Sequence, residues 1–215
     1  MTYIKSKKTR NSIIEVSKNL FYKEGLNNTT VRQIAKEVKL KNSGALYYHF
    51  ASKEEIAKEI YSNCFENAHE LCDSIVDKNK NPLLSMFVGM KFHFKCSFCD
   101  ERSKLLFLEV NNESWFDNII LTQRKEVFFS MSEYYKLDLD DEMLLVYFFT
   151  TRGAGNTLIE NKIIGNISME DDKLFNYIVA LYPQLLGINN SIIQKTLIKA
   201  DEIIDKLSIK PFVYL

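Results

Sequence analysis

What this chain lacks narrows it before anything else does. Only three prolines and seven glycines interrupt its 215 residues, so few interior positions break a helix. Strand-type alternation is hard to find. Nowhere do eighteen apolar residues follow one another, which argues against a membrane-spanning helix. The run "LLVYFF" at 144–149 suits a buried helix instead. The first residues, "MTYIKSKKTRNSII", lack the apolar stretch of a secretory signal. The expected location is therefore cytoplasmic, where the four cysteines are thiols. Three histidines supply an acid–base site poorly. No Gly-rich phosphate loop, His-Glu-x-x-His stretch or paired nucleophile motif occurs. The expectation is a protein that is not an enzyme and needs no cofactor and no metal.

Net charge is missing too, with 28 basic and 28 acidic residues. That balance hides a split. Residues 1–60 hold 12 Lys or Arg against 6 Asp or Glu, which leaves 16 against 22 in the rest. A basic head on an acidic body suggests that the head alone meets a polyanion. The bland alternative is chance clustering of lysines.

What is present is apolar spacing close to 3.6 residues, which predicts an all-α fold. A first helix is expected over about 8–23, with Ile13, Val16, Leu20 and Phe21 inward and Gly25 as its stop. "TVRQIAKEV" follows, opened by a capping box from Thr30 to Gln33, with Ile34, Ala35 and Val38 inward. A short third helix runs through "GALYYHF". A fourth opens at Ser52, where Glu55 makes a second capping box, and reaches about Val76. Further amphipathic helices are expected over 82–99, 101–110, 114–137, 140–164, 168–186 and 191–207. Pro183 should kink or end the second-last of these.

Two short capped helices joined by a tight turn in a basic region suggest a helix-turn-helix. Leu46 and Phe50 lie at i and i+4 and face the core with Leu40, which turns Ser43, Ala45, Tyr47 and Tyr48 outward. Small residues let the backbone approach a groove, and tyrosine hydroxyls donate to phosphates. His49 and Lys53 sit beside the start of the fourth helix, whose free N–H groups suit an anion. The competing reading is a core segment whose polar ends find side-chain partners.

The stretches "GLNNTTVRQIAKEV" (25–38) and "GALYYHFASKEEIAKEI" (44–60) resemble the TetR family of transcriptional regulators over about the first 60 residues. Beyond them the chain matches only in being helical. The turn "VKLKNSG" is one residue longer than the family's and lacks its glycine. The resemblance implies a three-helix DNA-binding domain over 1–55, with the helix-turn-helix at about 29–50. It also implies an effector-binding and dimerisation domain over 56–215. The DNA-facing residues it points to are Thr30, Arg32, Gln33, Asn42, Ser43, Gly44, Ala45, Tyr47, Tyr48, His49 and Lys53. Thr30, Tyr47, Tyr48, His49 and Lys53 would hold phosphates, while Arg32 and the 43–45 end would reach base edges. Lys7, Lys8 and Arg10 would add contacts. The implied partners are a palindromic double-stranded operator, a second copy of the chain and a small molecule that relieves repression. The helices at 140–164 and 168–187 would pair across the two-fold axis. Gly153, Ala154 and Gly155 either permit close approach there or fit a crowded core.

Aromatic residues crowd the middle of the chain and favour an apolar or aromatic effector over a highly charged one. The candidate pocket is Phe87, Phe94, Phe107, Trp115, Phe116, Phe128, Tyr147, Phe148 and Arg152, with Arg102, Glu109 and Asn112 as further polar candidates. A ring at helical spacing is more often core than pocket. Cys96-x-x-Cys99, with His93, Cys64, His69 and Cys72, offers a metal- or thiol-redox-responsive alternative. A single pair within a predicted helix is more simply read as small buried hydrophobes. The remaining alternative, an effector-independent architectural DNA-binding protein, would show no sequence preference.

Overall fold

The computed structural model describes the backbone of residues 2–215 and the side chains of residues 6–215. Among the described residues there are helices and turns but no strands. The helices are α1 Thr2–Glu24, α2 Val31–Glu37, α3 Lys53–Ile75, α4 Pro82–Ser97 and α5 Glu101–Asn111. They continue with α6 Ser114–Tyr135, α7 Asp141–Ile163, α8 Asp171–Leu185 and α9 Asn190–Ile204. Short 3-10 turns occupy Ser43–Tyr48 and Phe212–Tyr214. The third expected helix is thus a 3-10 turn. Pro183 lies inside α8, which ends two residues later at Leu185.

The chain forms two compact units whose boundaries do not follow sequence order. The N-terminal unit contains everything to Phe65 together with Ser97–Ile119 and Lys210–Leu215. The expected boundary at 55/56 therefore falls inside it. Ile13 and Phe21 of α1, Ile34 of α2, Leu46, Phe50 and Ile56 have no more than 1% of their surface exposed. Around them Tyr61 meets Phe116 edge-on at 5.6 Å, and Trp115 meets Phe116 at 5.9 Å. The last residues return to this unit. Phe212 is buried with its ring 4.8 Å from Phe65 and 6.1 Å from Tyr61. Tyr214 packs edge-on to Tyr22 at 5.2 Å and its hydroxyl donates to Asn19 at 3.1 Å.

Gly25 ends α1 for two physical reasons. Its φ of +88° lies in the left-handed region, and a Cβ there would come within 2.7 Å of Glu109 Oε1. The Glu109 carboxylate uses that space to accept the Asn27 N–H at 3.1 Å. One expected polar fixture of the effector pocket thus holds the α1–α2 loop instead.

The C-terminal unit contains Glu66–Cys96 and Ile120–Ile209. Gly155 of α7 lets Ile178 of α8 approach to 3.1 Å from where a Cβ would stand. Phe94 stacks on Phe175 at 4.9 Å, which joins α4 to α8. Lys91 is fully buried, donates to Asn176 Oδ1 at 2.5 Å and pairs with the Asp201 carboxylate. Burial pushes its ammonium down to about 8. No described helix is long and apolar enough to cross a membrane.

Candidate nucleic-acid interface

The interface is built by short-range chemistry around α2 and the turn after it. Thr30 caps α2: its hydroxyl accepts the Gln33 N–H at 3.2 Å, while Gln33 Oε1 accepts the Thr30 N–H at 2.7 Å. The Gln33 amide also donates to Glu24 at 2.7 Å, so this side chain is committed to holding the entry of α2. Arg32 stays exposed. Asn42 caps the 3-10 turn by accepting the Ala45 N–H at 3.0 Å. Leu46 and Phe50 are buried as their spacing predicts.

The outward residues sort themselves by exposure. Tyr48 is 91% exposed and Tyr47 55%, while Gly44 is exposed and Ser43, Ala45 and His49 are half-buried. Two aromatic side chains left in water beside small residues cost apolar surface that an intramolecular role would have covered. Lys53 is placed differently. Its ammonium donates to the Leu26 carbonyl at 2.6 Å and so ties α3 to the α1–α2 loop. An ammonium has three donors, so a phosphate could share it.

The start of α3 offers less room for an anion than the sequence suggested. Ser52 Oγ accepts the Glu55 N–H at 3.1 Å, and the Glu55 carboxylate accepts the Ala51 N–H. Glu54 is held below the usual carboxylate range, first by a backbone N–H and then by the Ser52 hydroxyl. The first turn thus supplies its own carboxylates. Arg10 is also spoken for: its guanidinium pairs with both Glu59 oxygens and lies 4.4 Å from the Phe50 ring centroid. It clamps α1 to α3, while Lys7 and Lys8 remain exposed.

Residues 13–60 match the profile of the bacterial regulatory proteins of the tetR family. The N-terminal region is a TetR-family domain. Over 74 residues the chain is 39% identical to the HTH-type transcriptional repressor KstR2 of Mycobacterium tuberculosis, covering 34% of this chain and 36% of that one. Over 104 residues it is 32% identical to the icaADBC negative regulator IcaR of Staphylococcus epidermidis, covering 48% and 54%. The matches thus span about a third to a half of these curated relatives. Among solved structures, RolR in complex with resorcinol shares the fold, with a TM-score of 0.68 at 15% identity over 97% of this chain and 99% of that one. SmeT, the repressor of a Stenotrophomonas maltophilia efflux pump, shares it at a TM-score of 0.57 and 14% identity, over 82% and 89%.

The TetR-type turn departs in sequence from the family pattern, and the structure shows how the chain manages. Lys39 takes the left-handed position that glycine would favour, with φ +61°. The Leu40 N–H reaches the Ala35 carbonyl at 2.9 Å and the Lys39 N–H reaches Lys36 at 3.0 Å, closing α2 with a Schellman pair. A lysine there costs about 1 kcal/mol that glycine would avoid.

The nine expected pocket residues fall in both units. Phe107, Trp115 and Phe116 are buried in the N-terminal unit, where Phe107 meets Phe98 at 5.9 Å. Phe87, Phe94, Phe128 and Phe148 are buried in the C-terminal unit, where Tyr147 and Arg152 are half-buried. There Phe128 stacks on Tyr182 at 4.3 Å and touches Phe148 at 6.1 Å. A cavity of about 110 Å³ opens beside them, lined by Leu121, Lys125, Phe128, Phe129, Asp141, Leu144 and Leu145. The small-residue triplet also divides: Gly155 is buried, whereas Gly153 and Ala154 are exposed. Cys64, Cys72 and Cys96 are buried and Cys99 is exposed. Burial pushes the Cys64 and Cys72 thiols up to about 12, far from thiolate reactivity. Among the described residues no group of three or more His, Cys, Asp or Glu is placed to hold a metal.

Proposed function

We propose that this protein is a transcriptional repressor that binds a palindromic operator as a homodimer and is released by a small molecule held in its C-terminal unit. The observation that carries the reading is the exposed Tyr47–Tyr48 pair beside Gly44, on a capped 3-10 turn within a TetR-family domain. Rings can lie on sugars and hydroxyls can donate to phosphates, while the small residues admit the backbone to a groove. Dimerisation is supported by a second exposed set. Val146, Phe149 and Gly153 fall along one stripe of α7, and Tyr177 of α8 is 56% exposed. Apolar groups left in water at helical spacing suit a partner helix, and an isologous contact would double the DNA contacts. RolR's complex with resorcinol is a precedent for a small aromatic ligand on this fold. Release requires the ligand to prefer the arrangement that fits DNA poorly, and operator DNA must then weaken ligand binding by the same factor.

The test is selection of bound sequences from random duplexes, followed by titration at several salt concentrations. Tyr48→Ala should weaken binding to every duplex, whereas Ala45→Ser should change which sequence is preferred. Failure of the purified protein to bind any duplex at low ionic strength would overturn the reading. Binding without sequence preference would leave an architectural protein instead.

A further inference from the structure

In the C-terminal unit, residues of α6 and α7 line an open cavity of about 110 Å³. Helical spacing builds it. Leu121, Lys125 and Phe129 recur every fourth residue along one stripe of α6, and Asp141, Leu144 and Leu145 share one face at the start of α7. Phe128 is buried and forms the floor, backed by the stacked ring of Tyr182 at 4.3 Å. Phe129 and Leu145 stand at the opening, 38% and 40% exposed. Large apolar side chains that border one cavity and still face water make a contiguous patch of the kind that marks a binding site. The charges of the lining cancel. Lys125 and Asp141 are exposed, and neither has an ion pair or hydrogen bond among the described residues. The Lys125 ammonium lies 5.4 Å from the Phe129 ring centroid. An acid or an amine entering would give up hydration and meet one like charge as well as one opposite.

We propose that this cavity binds a small uncharged compound of one ring, with a hydroxyl group at the opening, and that this compound is the effector. Volume limits the body. An enclosed apolar cavity of about 150 Å³ admits benzene, so this smaller, open one takes a single ring and has no place for a second. The ring lies against Phe128 and Phe129. The hydroxyl stays within reach of water and can accept from the Lys125 ammonium or donate to the Asp141 carboxylate. Leu145 adjoins Val146 and stands one turn before Phe149, both in the stripe offered above for dimerisation. An occupant therefore presses on the helix that meets the second copy. The inference rests on the reading that the C-terminal unit holds an effector, and it adds where the effector sits and of what kind it is. Of the nine residues expected from the sequence to form the pocket, Phe128 alone lines this cavity.

The experiment uses the full chain. Without DNA, benzyl alcohol is titrated by calorimetry beside benzylamine and benzoate, its charged counterparts at pH 7, and beside the two-ring naphthylmethanol. Benzyl alcohol should bind at least about tenfold tighter than either ion. Naphthylmethanol should not bind, although it is the more apolar. Leu145→Trp fills the opening from an exposed position and should abolish binding without lowering the melting temperature. Should that variant fold poorly, Phe129→Ala must weaken benzyl alcohol at least about fivefold by removing the aromatic wall. On an operator selected from random duplexes, saturating benzyl alcohol should lower the affinity for DNA. Equal affinity for an ion, binding of naphthylmethanol, wild-type affinity in both variants, no binding of benzyl alcohol at millimolar concentration, or unchanged operator affinity would overturn the proposal. If the preparation selects an operator but fails with the ligands, only the cavity site has failed. If it binds benzyl alcohol as described but no duplex, the regulator reading has failed and the ligand site stands.

Discussion

In the N-terminal unit the polar side chains around α2 and the loop before it close on one another. Arg10 meets Glu59, Lys53 meets the Leu26 carbonyl, Glu109 meets the Asn27 N–H, and Gln33 meets both Thr30 and Glu24. In the C-terminal unit the buried Tyr182 hydroxyl has no hydrogen-bond partner among the described residues. On the function proposed above, the difference is that between a rigid presenter and a receptor with bonding left for a ligand. A surface that reads a periodic duplex gains from side chains held in place by their neighbours. A site that responds to a ligand must leave part of its bonding for that ligand, at the expense of unliganded stability.

The largest way to break this contrast is to loosen the presenter. Phe212→Ala should destabilise the protein by about 3–5 kcal/mol, the usual cost of emptying an aromatic site in a packed core. Denaturant unfolding of the full chain measures it, and a loss under about 1 kcal/mol would mean that the C-terminal tail is not a structural part of that unit.

Next in size is a pH effect confined to the C-terminal unit. His93 has a lowered folded value, so below about pH 6.5 the unfolded chain takes up a proton that the folded chain refuses. Its contribution to stability is present above that pH and is lost as pH falls, by about 1.4 kcal/mol per unit. Wild type should therefore lose stability relative to His93→Gln between pH 6.5 and 5.5. Parallel pH profiles would show that His93 is not kept neutral.

Smaller effects sharpen the picture of the presenter. Glu59→Ala should cost about 0.5–1 kcal/mol, since the pair with Arg10 is partly exposed and screened by solvent. Salt titration of both proteins should narrow the difference. Lys39→Gly should act in the opposite direction and stabilise by about 0.5–1 kcal/mol, because the strain of a left-handed lysine exceeds the entropy glycine adds to the unfolded chain. A destabilised glycine variant would mean that the Lys39 side chain does something its exposure does not disclose.

How much of this was legible depends on the reach of each interaction. The capping box of Thr30 and Gln33, the Gly25 stop and the inward pair Leu46 and Phe50 involve residues within about one helical turn, so spacing alone reveals them. The carboxylates that crowd the start of α3 were also visible as Glu54 and Glu55, but not which N–H groups they would accept. Phe107, Trp115 and Phe116 lie in a different unit from Phe87, Phe94, Phe128 and Phe148, and aromatic composition carries no information about which unit a helix joins.

The sequence by itself determined the helical class, the capped reading head and its basic charge, because periodicity, capping and charge are properties of neighbouring residues. Tertiary structure alone decided that Phe212 closes the N-terminal unit, that Gly155 turns inward while Gly153 does not, and that Phe128 stacks on Tyr182. Those outcomes depend on contacts between residues far apart in the chain, whose positions are set by how whole helices pack rather than by any local preference.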